Sequence, residues 1–403
     1  MAKGHNVLTN PERFSKPHTI SREKLEAAAK AACDKLKAFA IKNGPDKFPA
    51  TCTVDKKYPL DINRNWEAGM YTGCFWLAYE LTGDEFFRSF AEAQLPTYKK
   101  RFDDKVNIDD HDMGFVFIPS CIAAYKLTGN ETAKEYALEM FDYYFNTSYS
   151  KEGKFIIRCH TNWWAKPGKT SGCRTMMDSL MNAPFMFWAS QMTGNMEYYQ
   201  AAVDHNKTTY KYLIRDDGSS YHHYQFDPET AGPVGGFTFQ GHRDESCWSR
   251  GHSWGVYGFP IAYSYCKEPF LVDAHTDVTY FMLNHLPEDL VPYWDYDFTE
   301  GSTQPRDASC AVISACGMLE MAKHLPEDAE QKPVFESAAA QMLEAVIDKC
   351  TSEPCVKNYD GLICHVTHAL PQGQGIDQCA VYADYFYLEA LSRYLNPDFK
   401  NYW

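Results

Sequence analysis

Two acidic residues stand in surroundings that suit chemistry better than solvation. In the stretch CRTMMDSLMNAPFMFWAS, Cys173 to Ser190, Asp178 is the single carboxylate in a run of Met, Leu, Phe and Trp. Read as a helix, this stretch sets Arg174, Asp178 and Asn182 at i, i+4 and i+8, one polar stripe on an otherwise apolar rod. A buried carboxylate without a partner takes up a proton, and its pKa climbs into the range useful for acid/base work; paired with Arg174 it would instead tie elements together. The second acid lies in NIDDHDMGFVF, where Asp109, Asp110, His111 and Asp112 run straight into an apolar helix. Asp112 there is either an N-cap or the second of two carboxylates facing each other across a cavity, the arrangement that sugar hydrolysis requires.

A third group, GFTFQGHRDESCWSRGHSWGVYGF, brings Gln240, Arg243, Trp248, Arg250 and Trp254 together with several glycines. Arg250 and Trp254 are i, i+4 neighbours on a helix. Flat aromatic faces stack on sugar rings, and Arg and Gln bind carboxylates and hydroxyls, so the set suits an acidic carbohydrate, although a lone Trp is more often a core residue. Other chemistries lack their signatures: there is no G-x-S-x-G elbow, no phosphate-binding loop and no G-x-G-x-x-G fingerprint. His160, His222, His223, His242 and His252 follow no spacing that fixes a ligand geometry, so neither metal nor cofactor is expected.

The elements that position these residues announce themselves by repetition. LAYELTGDEFF, AAYKLTGNETAKEYA and WASQMTGNMEYYQAA each read as helix, stop, helix. Gly83, Gly129 and Gly194 end one helix in the left-handed conformation, and Asp84, Asn130 and Asn195 cap the next. Weaker equivalents follow in AYSYCKEPFLVDAH, LEMAKHLPEDAEQKPVFESAA and LEALSRYLNPDF, which makes six candidate hairpins. Repeated helical hairpins bury their faces by stacking, and six suit a closed ring. The expectation is therefore all-α, a six-hairpin α/α toroid with short β excursions, formed by residues 21–403 as a single domain behind a polar N-terminal extension, residues 1–20.

Composition narrows the partners. The 403 residues carry 39 Lys and Arg against 53 Asp and Glu, a formal charge of −14 that disfavours nucleic acid and anionic membranes. No run of apolar residues has membrane-spanning length, the opening residues resemble no signal peptide, and the 14 cysteines read as buried thiols, so a cytoplasmic location is expected.

The segments NWEAGMYTGCFWLAYELTGDE, DHDMGF, MDSLMN, FQGHRDESCWSRGHSWGVYGF, PRDASCAVISACGMLEMA and DYFYLEALSRYL occur in the order seen in unsaturated glucuronyl hydrolases, and the resemblance runs from about Asn65 to Leu395. It implies an α/α toroid that removes the 4,5-unsaturated uronic acid left at the non-reducing end of oligosaccharides by polysaccharide lyases. It also implies that Asp178 is the acid/base that hydrates the C4=C5 bond, with Asp112 as second carboxylate. His222, Gln240, Arg250 and Trp254 would hold the uronate and its water, with Trp66 and Trp163 as stacking walls. Two departures stand out: Phe239-Gln240-Gly241 replaces a frequent His-Gln-Gly, and QGQGIDQCAVYADYF replaces a Ser/Lys-bearing sulfate-contacting segment of some members. Alternative readings are a hydrolase for unsaturated galacturonyl-rhamnose from pectin, a sugar epimerase or isomerase using His222 and His252 as an acid/base pair, and a non-catalytic sugar-binding toroid.

Overall fold

A computed structural model describes residues 7–157, 173–351 and 356–403. Along the chain run α1 (Arg22–Asn43), the strands β1 (Phe48–Pro49) and β2 (Leu60–Asp61), α2 (Ala68–Thr82), α3 (Glu85–Asp103), α4 (Met113–Phe117), a π turn (Ile118–Ile122), α5 (Ala123–Thr128) and α6 (Glu131–Ser148). Then come β3 (Tyr149–Ser150), β4 (Phe155–Ile156), β5 (Arg174–Met176), a 3-10 turn (Met177–Met181), α7 (Ala183–Thr193), α8 (Met196–Leu213), β6 (His223–Phe226) and β7 (Pro233–Phe237). The remainder is helical: α9 (Ser249–Cys266), α10 (Phe270–Asn284), α11 (Ala308–His324), α12 (Gln331–Cys350) and α13 (Val381–Leu395).

Two kinds of helix build the ring. The inner ones are buried nearly all round: every residue of α9 from Ser249 to Ala262 is inaccessible. The outer ones carry one apolar stripe, as on α6, where Ala133, Ala137, Met140, Phe141, Tyr144, Phe145 and Ser148 are buried at helical spacing. The connectors in the three strongest repeats behave as cap chemistry dictates. Gly83, Gly129 and Gly194 adopt φ of 67°, 70° and 75°, and the side chains of Asp84, Asn130 and Asn195 accept from the N–H groups of Phe86, Ala133 and Glu197.

The sixth hairpin is not where the sequence pattern suggests. After α13 the chain enters no further helix: residues 396–403 are irregular, and the partner of α13 is α1 from the other end of the chain. Closing a ring needs one contact between the extremes of the sequence, which no local pattern can announce. Residues 7–20 strap across α10 and α12, with Arg13 donating to the carbonyl of Leu286 and the Ser337 hydroxyl to that of Lys16. Phe14 and Ile20 are buried there. Among the described residues, no helix is long and apolar enough to cross a membrane. Among the described residues eleven cysteines are free thiols, but Cys364 is disulfide-bonded, against the expectation of thiols throughout.

Strands are confined to short antiparallel pairings. The sheet β5-β6-β7 places Met176, His223 and Phe237 in register across its three strands.

Candidate active site

Asp178 does not sit on an α-helix. Arg174 to Met176 pair with Gln225 to His223 as strand β5, and the chain passes at once into the 3-10 turn. Pairing with a strand some fifty residues downstream overrides the local helical reading, so the expected i, i+4, i+8 stripe does not form. Within the turn Met177, Ser179, Leu180 and Met181 are buried, whereas the Asp178 side chain keeps 15% exposure. The turn is pressed against α9, where a Cβ at Gly258 would lie 2.7 Å from the Cβ of Leu180; only glycine admits that approach. Arg174 is buried with its guanidinium over the ring of Phe239, 5.1 Å from the centroid.

Asp112 occupies the N-cap position of α4, yet its side chain makes no capping hydrogen bond. Its Oδ1 is instead 3.2 Å from Nε2 of His111, whose Nδ1 lies 2.7 Å from Oδ1 of Asp110. The buried imidazole thus stands between two carboxylates. These three residues are the one grouping among the described residues with three possible metal-ligand atoms close together, all within 4.8 Å. Asn182 links the two acidic turns: Oδ1 accepts from the Phe115 N–H at 3.3 Å and Nδ2 donates to the Asp178 carbonyl at 3.4 Å. A Cβ on Gly114 would reach 2.5 Å from that Oδ1, so the absence of a side chain there lets the two turns meet.

Both carboxylates open into one cavity. Its walls include Trp66, Phe115, Met176, His223, Phe239, Gln240, Trp248, Arg250, Trp254 and His368, with Asp110, His111, Asp112 and Asp178. Trp66 leans on Phe115 and stacks on Tyr382 at 5.4 Å, which fixes its face toward the hollow. Arg250 and Trp254 lie one turn apart on α9, as the spacing predicts. The Arg250 guanidinium is buried, donates to Asp307 Oδ2 and the Thr367 carbonyl at 2.8 Å each, and is sandwiched by Trp248 and Tyr382. Gln240 donates to the carbonyl of His368 at 3.1 Å.

Of the residues singled out from sequence, Asp178, Asp112, Trp66, Gln240, Arg250 and Trp254 line this cavity. Trp163 and His160 lie outside the described residues. His222 stands behind Asp178, its Nε2 at 3.8 Å from Oδ2; the Phe239 N–H donates to its Nδ1, which leaves the ring proton on the side of Asp178. His223, the next residue and the first of β6, lines the cavity, and the two imidazoles are in contact with ring centroids 4.0 Å apart. Both histidines stand out in the sequence, and no local pattern tells which of them lines the cavity. His368 gave no signal at all. Burial, then Arg250, pushes its pKa down to about 3, so it meets the cavity as a neutral ring. His252 is engaged elsewhere: Nε2 donates to the Val278 carbonyl at 2.7 Å, Nδ1 is 3.0 Å from the Ser220 hydroxyl, and burial lowers its pKa to about 4. A His222/His252 acid/base pair therefore finds no geometry here.

A cavity with two carboxylates, aromatic walls and a buried arginine is suited to protonating and hydrating a sugar. Comparison with known proteins gives the same answer. Residues 41–359 match the model of Glycosyl Hydrolase Family 88. Over 396 residues the chain is 37% identical to the unsaturated chondroitin disaccharide hydrolase of Streptococcus pyogenes serotype M1, covering 98% of this chain and 97% of that one. It is 34% identical to the unsaturated glucuronyl hydrolase of Bacillus sp. strain GL1, covering 91% and 96%. The crystal structure of unsaturated glucuronyl hydrolase from Streptococcus agalactiae superposes with a TM-score of 0.93 at 33% identity, covering 100% of this chain and 99% of that one. A variant of that enzyme complexed with dGlcA-GalNAc6S matches with a TM-score of 0.86 at 32% identity, covering 100% of both chains. With motifs, toroid and cavity agreeing over nearly its whole length, this chain belongs to Glycosyl Hydrolase Family 88 and is a glycosidase.

Proposed function

We propose that the enzyme removes the 4,5-unsaturated uronic acid from the non-reducing end of lyase-generated glycosaminoglycan-type oligosaccharides by hydrating the C4=C5 bond. The observation that carries this reading is the position of Asp178, an acid held on a buried turn with its side chain facing an aromatic-walled cavity that Asp112 also lines. The C4=C5–O5 unit is a vinyl ether, so protonation at C4 by Asp178 places positive charge on C5 and O5. Asp178, now ionised, takes a proton from water as its oxygen adds to C5. The resulting hemiketal opens by breaking C5–O5, which leaves a ketone at C5 and a hemiacetal at C1. Loss of the C1–O bond to the next sugar then frees the oligosaccharide and an aldehyde.

Asp112 orients the ring hydroxyls, with its own geometry set by His111. His222 backs Asp178 and favours its ionised form when the proton has left. Trp66 and Trp254 supply stacking faces, and Gln240 and Arg250 the polar contacts. The pairing of Arg250 with Asp307 tempers its charge, so it acts through directed N–H groups more than as a bare cation. A cytoplasmic setting fits the eleven free thiols among the described residues, and the disulfide at Cys364 stands against it. The test is direct: incubation with an unsaturated chondroitin disaccharide removes the near-UV absorbance of the conjugated enoate. Persistence of that absorbance with chondroitin-, hyaluronan- and pectin-derived unsaturated disaccharides alike would withdraw the substrate class; loss with the pectin-derived one alone would reassign it.

A further inference from the structure

The cavity has a floor, and the floor is supported from the far side of the ring. Phe115 is its central residue: it lies three positions after Asp112, lines the cavity, and is packed by Trp66 at 5.2 Å and Trp254 at 5.2 Å. Beneath it stands the indole of Trp403, 5.7 Å away and edge-on. Trp403 belongs to no helix and is 2% exposed. It threads into the barrel axis, stacks on Phe386 at 6.2 Å, and donates from Nε1 to the Tyr385 hydroxyl at 3.2 Å.

Its main chain is anchored separately from its ring. The Lys126 ammonium donates to the carbonyls of Tyr402 at 2.7 Å and Trp403 at 3.3 Å, and the Tyr265 hydroxyl donates to the Trp403 carbonyl at 3.2 Å. Lys323 holds the carbonyl of Phe399 at 2.9 Å. The segment is thus fastened by main-chain bonds to α5, α9 and α11, while one side chain is sent inward to the underside of the active site.

We infer that Trp403 is a positioning residue for the reaction: its indole holds Phe115, and with it the first turn of α4 that carries Asp112, at the height the sugar needs. Removing the indole leaves a void directly under Phe115. The ring settles into it, and the α4 turn tilts with it because only two residues separate Phe115 from Asp112. Such a shift leaves the aromatic walls available for binding but misplaces a carboxylate, which is the pattern of a lower kcat with KM retained. The inference rests on Asp112 and Asp178 being the reacting pair.

Phe399 supplies the control. It is buried in the same segment and packs on Arg393 and Tyr402, with no ring contact to Phe115. Trp403→Ala, Trp403→Leu, Trp403→Phe and Phe399→Ala are compared with the wild type for Tm, and for kcat and KM on an unsaturated chondroitin disaccharide, well below the lowest Tm. Trp403→Ala is expected to lose about tenfold or more in kcat with KM within about twofold, Trp403→Leu to lose less, and Trp403→Phe to retain most of the rate. Phe399→Ala should lose Tm comparably and keep its kcat. Should Trp403→Ala not fold, the ordering of Leu below Phe carries the same test. Equal kcat for Trp403→Ala or Trp403→Leu and Phe399→Ala, or a loss confined to KM, would overturn the inference. Asp112→Asn measured alongside keeps the two ideas apart, since activity retained there removes the assignment of the pair whatever the Trp403–Phe399 contrast reads.

Discussion

The two ends of the barrel hold charge in opposite ways. At the end away from the cavity, Arg393 lies between Glu320, at 2.6 Å, and Glu389, at 2.9 Å, and Glu389 also accepts from the Tyr257 hydroxyl at 2.7 Å. Their side chains are 4% exposed or less. Against the upward push of burial, Arg393 holds the Glu320 carboxyl well below the usual carboxylate range. At the mouth, Asp110, Asp112 and Asp178 gather around a hollow, with His111 and His222 beside them and Arg250 turned to Asp307. The same residue types thus serve two purposes. Opposite charges locked together hold helices in place, and like charges kept around a space retain the freedom to exchange protons with whatever enters it.

The difference can be broken from either end. Asp178→Asn is expected to lower kcat by roughly 10²–10⁴, the scale of a lost general acid/base, with Tm little changed because the amide keeps the shape of the carboxylate. Steady-state kinetics and a thermal melt check both halves, and a Tm that falls together with kcat would make the mouth a structural cluster after all. Arg393→Met should do the reverse. Leaving Glu320 and Glu389 buried without their cation costs about 3–5 kcal/mol of stability, measured by urea unfolding, while the folded fraction keeps its kcat/KM.

Glu67 stands between the two regimes and sharpens the contrast. It is fully buried beside Trp66 and accepts from the Thr51 hydroxyl at 3.0 Å; burial, outweighing its hydrogen bonds and the charge of Arg101, pushes its pKa from 4.5 up to about 7. A folded-state pKa above the unfolded one means the native state holds the proton more tightly. Its contribution to stability is therefore complete below about pH 4.5 and lost as the pH rises through about 7. Glu67→Gln should be worth roughly 2–3 kcal/mol more, relative to wild type, at pH 8 than at pH 5. Asp384, whose pKa burial also raises to about 7, titrates in both proteins and cancels in the difference. A difference that does not change with pH would mean that Glu67 is ionised in the fold.

What the sequence discloses follows the range of the forces involved. The three TG connectors were legible because a left-handed glycine and a capping side chain act within four residues. The two acids, Arg250 and Trp254 were legible because their types are rare in such apolar company. The pairing of α13 with α1 was not, since it joins the two extremes of the chain. The turn around Asp178 was read as helix because β6, which makes β5 a strand, lies far downstream. His223 lines the cavity with His222 packed against it, and which of two adjacent residues reaches a wall is set by tertiary partners that no local pattern shows. Phe115 and Trp403 looked like ordinary core aromatics, and only three dimensions show which core residues lie beneath a site.

The smallest expected effect tests how finely the mouth is held. Asn182 and Asn206 are both buried amides that donate to the carbonyl four residues earlier, Asp178 in one case and Ala202 in the other. Only Asn182 has a second bond, from the Phe115 N–H, and so only Asn182 joins the turn carrying Asp178 to the turn carrying Asp112. Both bonds are long, which limits what each contributes to stability; their value lies in fixing the spacing of two carboxylates. Asn182→Ala should therefore lose about tenfold in kcat, little more than 1 kcal/mol of transition-state stabilisation, with KM nearly unchanged. Asn206→Ala removes a similar amide from the outer helix α8 and should leave kcat where it was. If both variants lose activity equally, the amide at 182 is one more core hydrogen bond, and the spacing of the two acids is set by packing against Gly114 and Gly258 alone.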